Sequence, residues 1–139
     1  KQPQKLLLTW LNEDTRLFDS IKGWITEEDF TEPLYRKAAQ ELFTQYGESG
    51  QVNPAKIISR FQEEEEQKEI AGLFNAKIHE VETKQDKEKA LKETIERIKE
   101  NSIDVRSRQS DPNDLTVVMQ LINEQKELEK LKKTHISID

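Results

Sequence analysis

The sequence has 139 residues, of which 33% are hydrophobic and 36% are charged, so it fits one domain whose elements bury narrow apolar stripes. Its net charge of −6 opposes direct binding to nucleic acid, and the absence of cysteine excludes disulfides and thiolate metal sites. Because the chain has only four glycines and four prolines, we predict an all-α fold, and because no run approaches about 18 apolar residues, we predict no membrane partner. The lack of cysteine is compatible with a reducing cytoplasm, which is the predicted location.

Two short helices and a single turn open the chain. The apolar residues of "QKLLLTWLN" lie on one side of a helix over residues 3–12, and "LFDSI" predicts a second helix with a left-handed C-terminal cap at Gly23. In "ITEEDF", Thr26 and Asp29 have the spacing of a capping box, which predicts one helical turn between two apolar anchors. Trp10 and Trp24 are interpreted as core residues, because no basic stripe accompanies them for stacking on bases.

The next segment predicts the central helix of a bundle. This helix has Thr31 as its predicted N-cap and Pro33 in its first turn, and it is expected to end before Gly47. Asn53, followed by a proline, repeats the start signal for a short helix, and a further helix in "KEIAGLFNAKI" closes the group. Together these segments predict a compact multi-helix orthogonal bundle over residues 1–81.

The second part of the chain, residues 82–139, predicts a long helix followed by a C-terminal helical hairpin. Thr83 is the predicted N-cap of the long helix, which would measure roughly 39 Å if it runs unbroken to Gln109. Its seam, at alternating spacings of four and three residues, consists of Leu91, Ile95, Ile98, Ser102 and Val105. "ENSID" is a candidate bend, because Asn and Ser are weak formers of helix interiors. At "SDPND", Asp111 is the predicted cap of the last helix, with Pro112 at its first position.

The last helix has two apolar faces, although pairing with the long helix requires only one. At about 100° per residue, the first face matches the seam and consists of Val117, Leu121, Leu128 and Leu131. Leu115, Val118, Met119 and Ile122 lie on roughly the opposite side, which becomes charged from Lys126 onward. This second set either contacts the bundle or forms a docking surface, since an apolar patch with a charged margin is typical of a partner site.

The sequence contains no convergent set of catalytic or ligating groups. His79 and His135 lie on different segments without a neighbouring Cys or His, and Gly-rich phosphate loops and common hydrolase motifs are absent. The carboxylates of "QEEEEQKE" lack the alternating ligands and glycine of a calcium loop, so they are interpreted as a solvated first helical turn. We therefore predict no catalytic residue, no cofactor and no metal ion, with a small hydrolase or nucleotide binder of unrecognised site as one alternative.

The order of motifs in "ITEEDFTEPLYRKAAQELFTQYGESGQVNPAKIISRF" resembles a known pattern: an E-D-F turn, a helix bearing Tyr-Arg, a glycine-containing break and a short helix before an acidic stretch. The chain is similar to the C-terminal helicase-interaction domain of bacterial DnaG-type primases over essentially its whole length. The N-terminal domain of the DnaB-type replicative helicase shares this fold and is the second alternative. The "SDPND" turn and the "INEQKELEKLKK" ending look more like the primase version, and the chain stops where a primase would stop.

The resemblance implies a non-catalytic binding domain, whose parent would be a DNA primase of the primosome, a transferase that acts as a DNA-directed RNA polymerase. In that family the hairpin attaches to the N-terminal domains of the hexameric replicative helicase, and the globular part contributes to helicase stimulation. Helical geometry, and not the family motif, assigns Leu115, Val118, Met119, Ile122 and Lys126 to the helicase contact. We expect a fragment of a longer chain that is mainly monomeric, with exchange of hairpins as its route to a dimer.

Overall fold

The computed structural model describes residues 2–75 and 83–138, in which seven α-helices and one 3-10 helix are found and no β-strand occurs. The α-helices are α1 (Gln2–Glu13), α2 (Leu17–Ile21), α3 (Pro33–Ser49), α4 (Pro54–Ser59), α5 (Glu64–Asn75), α6 (Lys84–Gln109) and α7 (Leu115–Lys132). The 3-10 helix is Glu27–Asp29 and lies between α2 and α3. The predicted all-α fold with a bundle and a terminal pair of helices is confirmed.

Helix α1 lies at the centre of the packing, and the prediction that α3 is the central helix is wrong. Leu7, Leu8 and Leu11 are fully buried, and α1 contacts α2, α3, α5 and α6. Half of this short helix is buried, because its polar Gln4 and Thr9 also find hydrogen-bond partners inside the fold. Each buried leucine contributes about 1.5–3 kcal/mol of transfer free energy, so this run makes a large contribution to the stability of the bundle.

Predicted N-caps are confirmed at the starts of three helices, where the capping residue and the amide that it binds are close in sequence. The Thr26 and Asp29 side chains form the expected capping box around the 3-10 helix. The Asn53 side chain accepts a hydrogen bond from the Lys56 amide at the start of α4, and Thr83 accepts one from the Asp86 amide at the start of α6. Each cap satisfies a backbone donor that the first turn of a helix leaves without an intrahelical partner.

The predicted roles of Gly23 and Gly47 at helix ends are wrong. Helix α2 closes at Lys22 with right-handed dihedral angles, and among the described residues only Gly50 has a positive φ, of 71°. Helix α3 continues through Gly47 and ends at Gly50, whose amide donates a hydrogen bond to the Tyr46 carbonyl. A helix tolerates an interior glycine at a modest cost, so the left-handed cap falls at the second glycine of "GESG".

Thr31 is not the N-cap of α3. The helix starts after Glu32, whose side chain makes no capping hydrogen bond. The Thr31 hydroxyl instead accepts hydrogen bonds from the side-chain amides of Gln4 and Asn101. Thr31 therefore links α1 and α6 to the loop before α3, a tertiary role that its sequence neighbours do not reveal.

Helix α6 is uninterrupted from Lys84 to Gln109, so the candidate break at "ENSID" does not form. Its weak helix formers have tertiary partners: Asn101 donates to Thr31, and the fully buried Ser102 hydroxyl donates to the Asp29 carboxylate. Leu91, Ile95 and Ile98 of the predicted seam are buried against the bundle. Hydrogen bonds to residues elsewhere in the fold thus compensate for the low helix propensity of Asn101 and Ser102.

Helix α7 returns along α6, but its predicted start at Asp111 and Pro112 is wrong. Asp114 is the N-cap and accepts a hydrogen bond from the Val117 amide, while Asp111 caps its own turn by accepting from the Asn113 amide. Pro112 therefore belongs to the turn. Leu128 and Leu131, near the C-terminal end of α7, are buried in the hydrophobic core.

The residues after α7 fold back onto the bundle, a feature that the sequence analysis did not predict. Ile136 and Ile138 are buried in the same hydrophobic cluster as α1. The Ile138 amide donates to the buried Glu88 carboxylate at 2.8 Å, and the Ser20 hydroxyl donates to the Ser137 carbonyl at 2.7 Å. This tail therefore fastens the C-terminal end of α7 to α2 and α6.

Some predictions fall outside the described residues. The predicted boundary between residues 81 and 82 does so, as do Ile78 and His79. Within residues 2–75 and 83–138, no helix combines the length and the apolarity needed to cross a membrane.

Candidate partner-binding surface

Helix α7 carries every large hydrophobic side chain that is strongly exposed in the described part of the chain. These side chains are Leu115, Met119 and Ile122, which are 72%, 68% and 51% exposed. Val118, on the same side of the helix, is half-buried. We call these four residues the α7 apolar surface. Its members recur at intervals of three and four residues, so they form one continuous stripe over two helical turns.

A groove adjoins the α7 apolar surface, between the end of α6 and the start of α7. It has a volume of about 500 Å³, and its lining comprises Ile103, Ser107, Arg108, Ser110, Pro112, Val118, Leu121, Ile122 and Gln125. Val118 and Ile122 belong to both features, so the groove extends the apolar stripe sideways. Arg108 supplies the charge of this lining and is paired with Asp104.

Lys126 lies one turn beyond Ile122 and marks the charged end of the stripe. It is exposed, and its side chain makes no hydrogen bond or ion pair in the described residues. The five residues that the sequence analysis assigned to a partner contact therefore share one side of α7. Their exposure does not show that a partner binds them, so the assignment stays a prediction.

Below this surface, Glu124 of α7 is held by two cations of α6. Arg106 donates to both Glu124 carboxylate oxygens, at 2.7 and 2.8 Å, and Lys99 donates to one of them at 2.9 Å. Burial opposes ionisation of Glu124, but the hydrogen bonds from Arg106 and Lys99 outweigh it and hold the pKa of the carboxyl below its usual value. The same pairing raises the pKa of the Arg106 guanidinium.

Asp29, in the 3-10 helix, completes this arrangement from the bundle side. Its carboxylate accepts hydrogen bonds from Ser102 at 2.9 Å and from Lys99 at 3.2 Å, and it lies 3.4 Å from Arg106. A second oxygen accepts from the Thr26 amide as part of the capping box. We call Asp29, Lys99, Ser102, Arg106 and Glu124 the polar cluster. It joins the 3-10 helix, α6 and α7 through two carboxylates and two cations.

The polar cluster was not predicted from the sequence, although the sequence contains a signal for it. The alternating spacing that runs through Val117, Leu121, Leu128 and Leu131 has a vacant place at residue 124, which Glu124 fills. Ser102 fills the corresponding place in the seam of α6. A charged or polar residue at a seam position requires a partner, because burial without one is unfavourable. The identity of the distant partner, Asp29, is not encoded in that spacing.

No group of acidic residues and histidines in the described residues has the arrangement of a metal site. His135 is exposed and lies 3.3 Å from a Glu88 oxygen. The α7 apolar surface itself consists of aliphatic side chains and one thioether, which bind mainly by burial.

Comparisons with known proteins found no match for this chain, either among family models, among curated proteins or among solved structures. The geometry of α7 and the order of motifs in the sequence are therefore the observations that bear on function.

Proposed function

We propose that this chain is the helicase-interaction domain of a bacterial DnaG-type primase. It docks on the N-terminal domains of the hexameric replicative helicase, recruits the primase to the replication fork and modulates helicase activity. The observation that carries the proposal is the location of Leu115, Met119 and Ile122: these exposed side chains lie on the helix that the resemblance identifies with attachment. The domain itself makes no primer.

The size and chemistry of the α7 apolar surface suit a reversible complex. The apolar stripe of two turns and the adjoining, mainly apolar groove offer a small core for an interface, and Arg108, Gln125 and Lys126 at their margin supply the polar rim that is usual in such contacts. A single contact of this size gives moderate affinity, because ordering and desolvation offset much of the gain from burial. Several copies bound to one helicase ring would gain avidity from their multiplicity.

Substitution of the two most central exposed residues tests the proposal. We expect Met119→Asp combined with Ile122→Asp to weaken binding to the cognate helicase by about 30-fold or more, because two carboxylates would enter a desolvated contact. Titration calorimetry with the helicase's N-terminal domains measures this effect, with circular dichroism to verify folding.

A matched control exists on the same helix. Thr116 and Gln120 are exposed on another side of α7, so Thr116→Asp with Gln120→Asp adds the same charge away from the stripe. This control should bind within about twofold of the unmodified chain. Equal affinities for the two double variants, both folded, would contradict the proposed contact.

The competing function is that of a helicase N-terminal domain, which shares the fold in the family that the chain resembles. The exposure of Leu115 and Met119 agrees with self-association of the chain as well as with binding to a helicase. Sedimentation of the isolated chain separates the two functions. A helicase element would form trimers or hexamers, whereas the primase domain should remain mainly monomeric until helicase is added.

A further inference from the structure

We propose that the charged members of the polar cluster, Asp29, Lys99, Arg106 and Glu124, are positioning residues that fix the direction in which α7 presents its apolar surface. This inference rests on the proposed function, since the direction matters for docking only if α7 meets a partner. The inference goes further than that function in assigning a task to residues that do not touch the partner.

The location of Glu124 along α7 is the first argument. On its C-terminal side, Leu128 and Leu131 are each 1% exposed, and the tail fastens this end through Ile136 and Ile138. On its N-terminal side, residues 115–123 carry the exposed stripe, and no hydrogen bond or ion pair joins this segment to α1–α5 in the described residues. Leu121, one turn before Glu124, is still partly buried against the core, so Glu124 lies within the last packed turns of α7, next to the segment that carries the exposed stripe.

The direction of the hydrogen bonds is the second argument. A bidentate pair between a guanidinium and a carboxylate is planar and restricts both the distance and the angle between its partners. Arg106 makes this pair with Glu124 and also approaches Asp29, so α7 is aligned with α6 and with the 3-10 helix together. Apolar contacts such as those of Leu128 have no preferred direction of their own, so they restrict the angle of α7 less than this pair does.

The burial of the cluster is the third argument. The side chains of Asp29, Lys99 and Glu124 are 4%, 12% and 18% exposed, so their interaction is screened less than that of a surface pair. Ion pairs of this kind add little net stability but select one arrangement over its neighbours in several systems. The expected result of loss is thus a change in the orientation of α7, with the bundle still folded.

The absence of cysteine from the sequence allows a direct measurement of that orientation. Gln40 on α3 and Asn113 in the turn before α7 are exposed, and replacing both by cysteine provides two sites for nitroxide labels. Pulsed electron paramagnetic resonance then gives the distribution of distances between the bundle and the tip of the hairpin. We expect Glu124→Gln to broaden or shift this distribution, because the amide loses the charge-assisted bidentate pair.

Glu127→Gln is the matched control, since Glu127 is exposed on the same helix and has no hydrogen bond or ion pair in the described residues. It should leave the distance distribution unchanged. If folded Glu124→Gln also keeps the unmodified distribution, the polar cluster does not position α7 and the inference is overturned.

Helicase affinity completes the test, with the α7 apolar surface left intact in every variant. We expect Glu124→Gln to weaken binding about fivefold and Glu127→Gln to leave it unchanged. A changed distance distribution with unchanged affinity would overturn the role in docking. If the unmodified chain fails to bind any helicase while Glu124→Gln alters the distances, the proposed function fails and the orienting role of the cluster is supported.

Discussion

The carboxylate of Asp29 serves three elements, although its side chain is only 4% exposed. It closes the capping box with Thr26, accepts from Ser102 and Lys99 of α6, and approaches Arg106, which in turn holds Glu124 of α7. A buried carboxylate with fewer partners would be unfavourable, because desolvation opposes its charge. The local capping role and the tertiary pairing therefore depend on each other at this residue.

The ionisation of Glu124 gives a prediction for acid stability. Since its folded-state pKa lies below the ordinary value of 4.5, its pairing contributes stability that is fully present above that value and is lost as the pH falls through the lowered one. Glu124→Gln lacks this titration. We expect the difference in free energy of unfolding between the two chains to be constant near neutral pH and to shrink below about pH 4.5.

Urea unfolding at a series of pH values measures this difference. Asp14, whose pKa is also lowered by its hydrogen bond to Arg16, titrates in both chains and cancels in the comparison. A difference that stays constant throughout the acid range would show that Glu124 contributes no titrating interaction in the folded state.

At the scale of elements, α7 is fixed at one end and projects at the other. Leu131, Ile136 and Ile138 belong to the core, whereas Leu115 and Met119 are largely exposed. Although α7 is largely polar, the tail holds its C-terminal end in place. Ile136 and Ile138 of the tail are buried, and the Ile138 amide donates a hydrogen bond to Glu88. Helix α7 is therefore attached to the rest of the fold mainly through the tail and the polar cluster.

The anchoring role of the tail predicts a stability effect far from the exposed stripe. We expect Ile136→Ala to lower the free energy of unfolding by about 2 kcal/mol or more, because it removes buried methyl groups and leaves a cavity. Lys133→Ala, which changes an exposed residue nearby, should alter it by less than about 0.5 kcal/mol. Denaturant unfolding measures both, and equal stabilities would show that the tail is not anchored as described.

The helices were largely predictable because their signals are local. The Thr26 box and the Asn53 and Thr83 caps follow from side chains within three residues of the amides they satisfy. Errors arose where neighbouring residues competed for one role, as with Gly47 and Gly50 at the end of α3. Thr31 lost its predicted cap because Gln4 and Asn101, from other helices, bind its hydroxyl.

Of the candidate site, only the α7 apolar surface was predictable from the sequence. Helical spacing placed Leu115, Val118, Met119 and Ile122 on a common side, but it left open whether the bundle covers them. The answer depends on the path of α7 relative to α1–α5, which the polar cluster and the tail help to determine. Asp29 and Glu124, which share the cations Lys99 and Arg106, are 95 residues apart in sequence, and helical periodicity does not connect such distant residues.

At the scale of the whole molecule, a closed bundle carries a projecting apolar stripe. In the proposed function, the net charge of −6 disfavours direct contact with nucleic acid, and the exposed side chains of α7 provide the selective contact with the helicase. Holding α7 in one orientation reduces the conformational entropy that is lost on binding, which increases affinity without enlarging the interface. These features agree with the proposed role of the domain in bringing a primase to the helicase.

The central claim, that a replicative helicase covers the α7 apolar surface, is tested most directly by the chemical reactivity of position 119. Because the sequence has no cysteine, Met119→Cys provides a single thiol on the stripe, and Gln120→Cys provides one on another side of α7. The rate of maleimide labelling is measured for each with and without the cognate helicase. We predict that saturating helicase strongly slows labelling at position 119 and leaves the rate at position 120 nearly unchanged, whereas an unchanged rate at position 119 would contradict the claim.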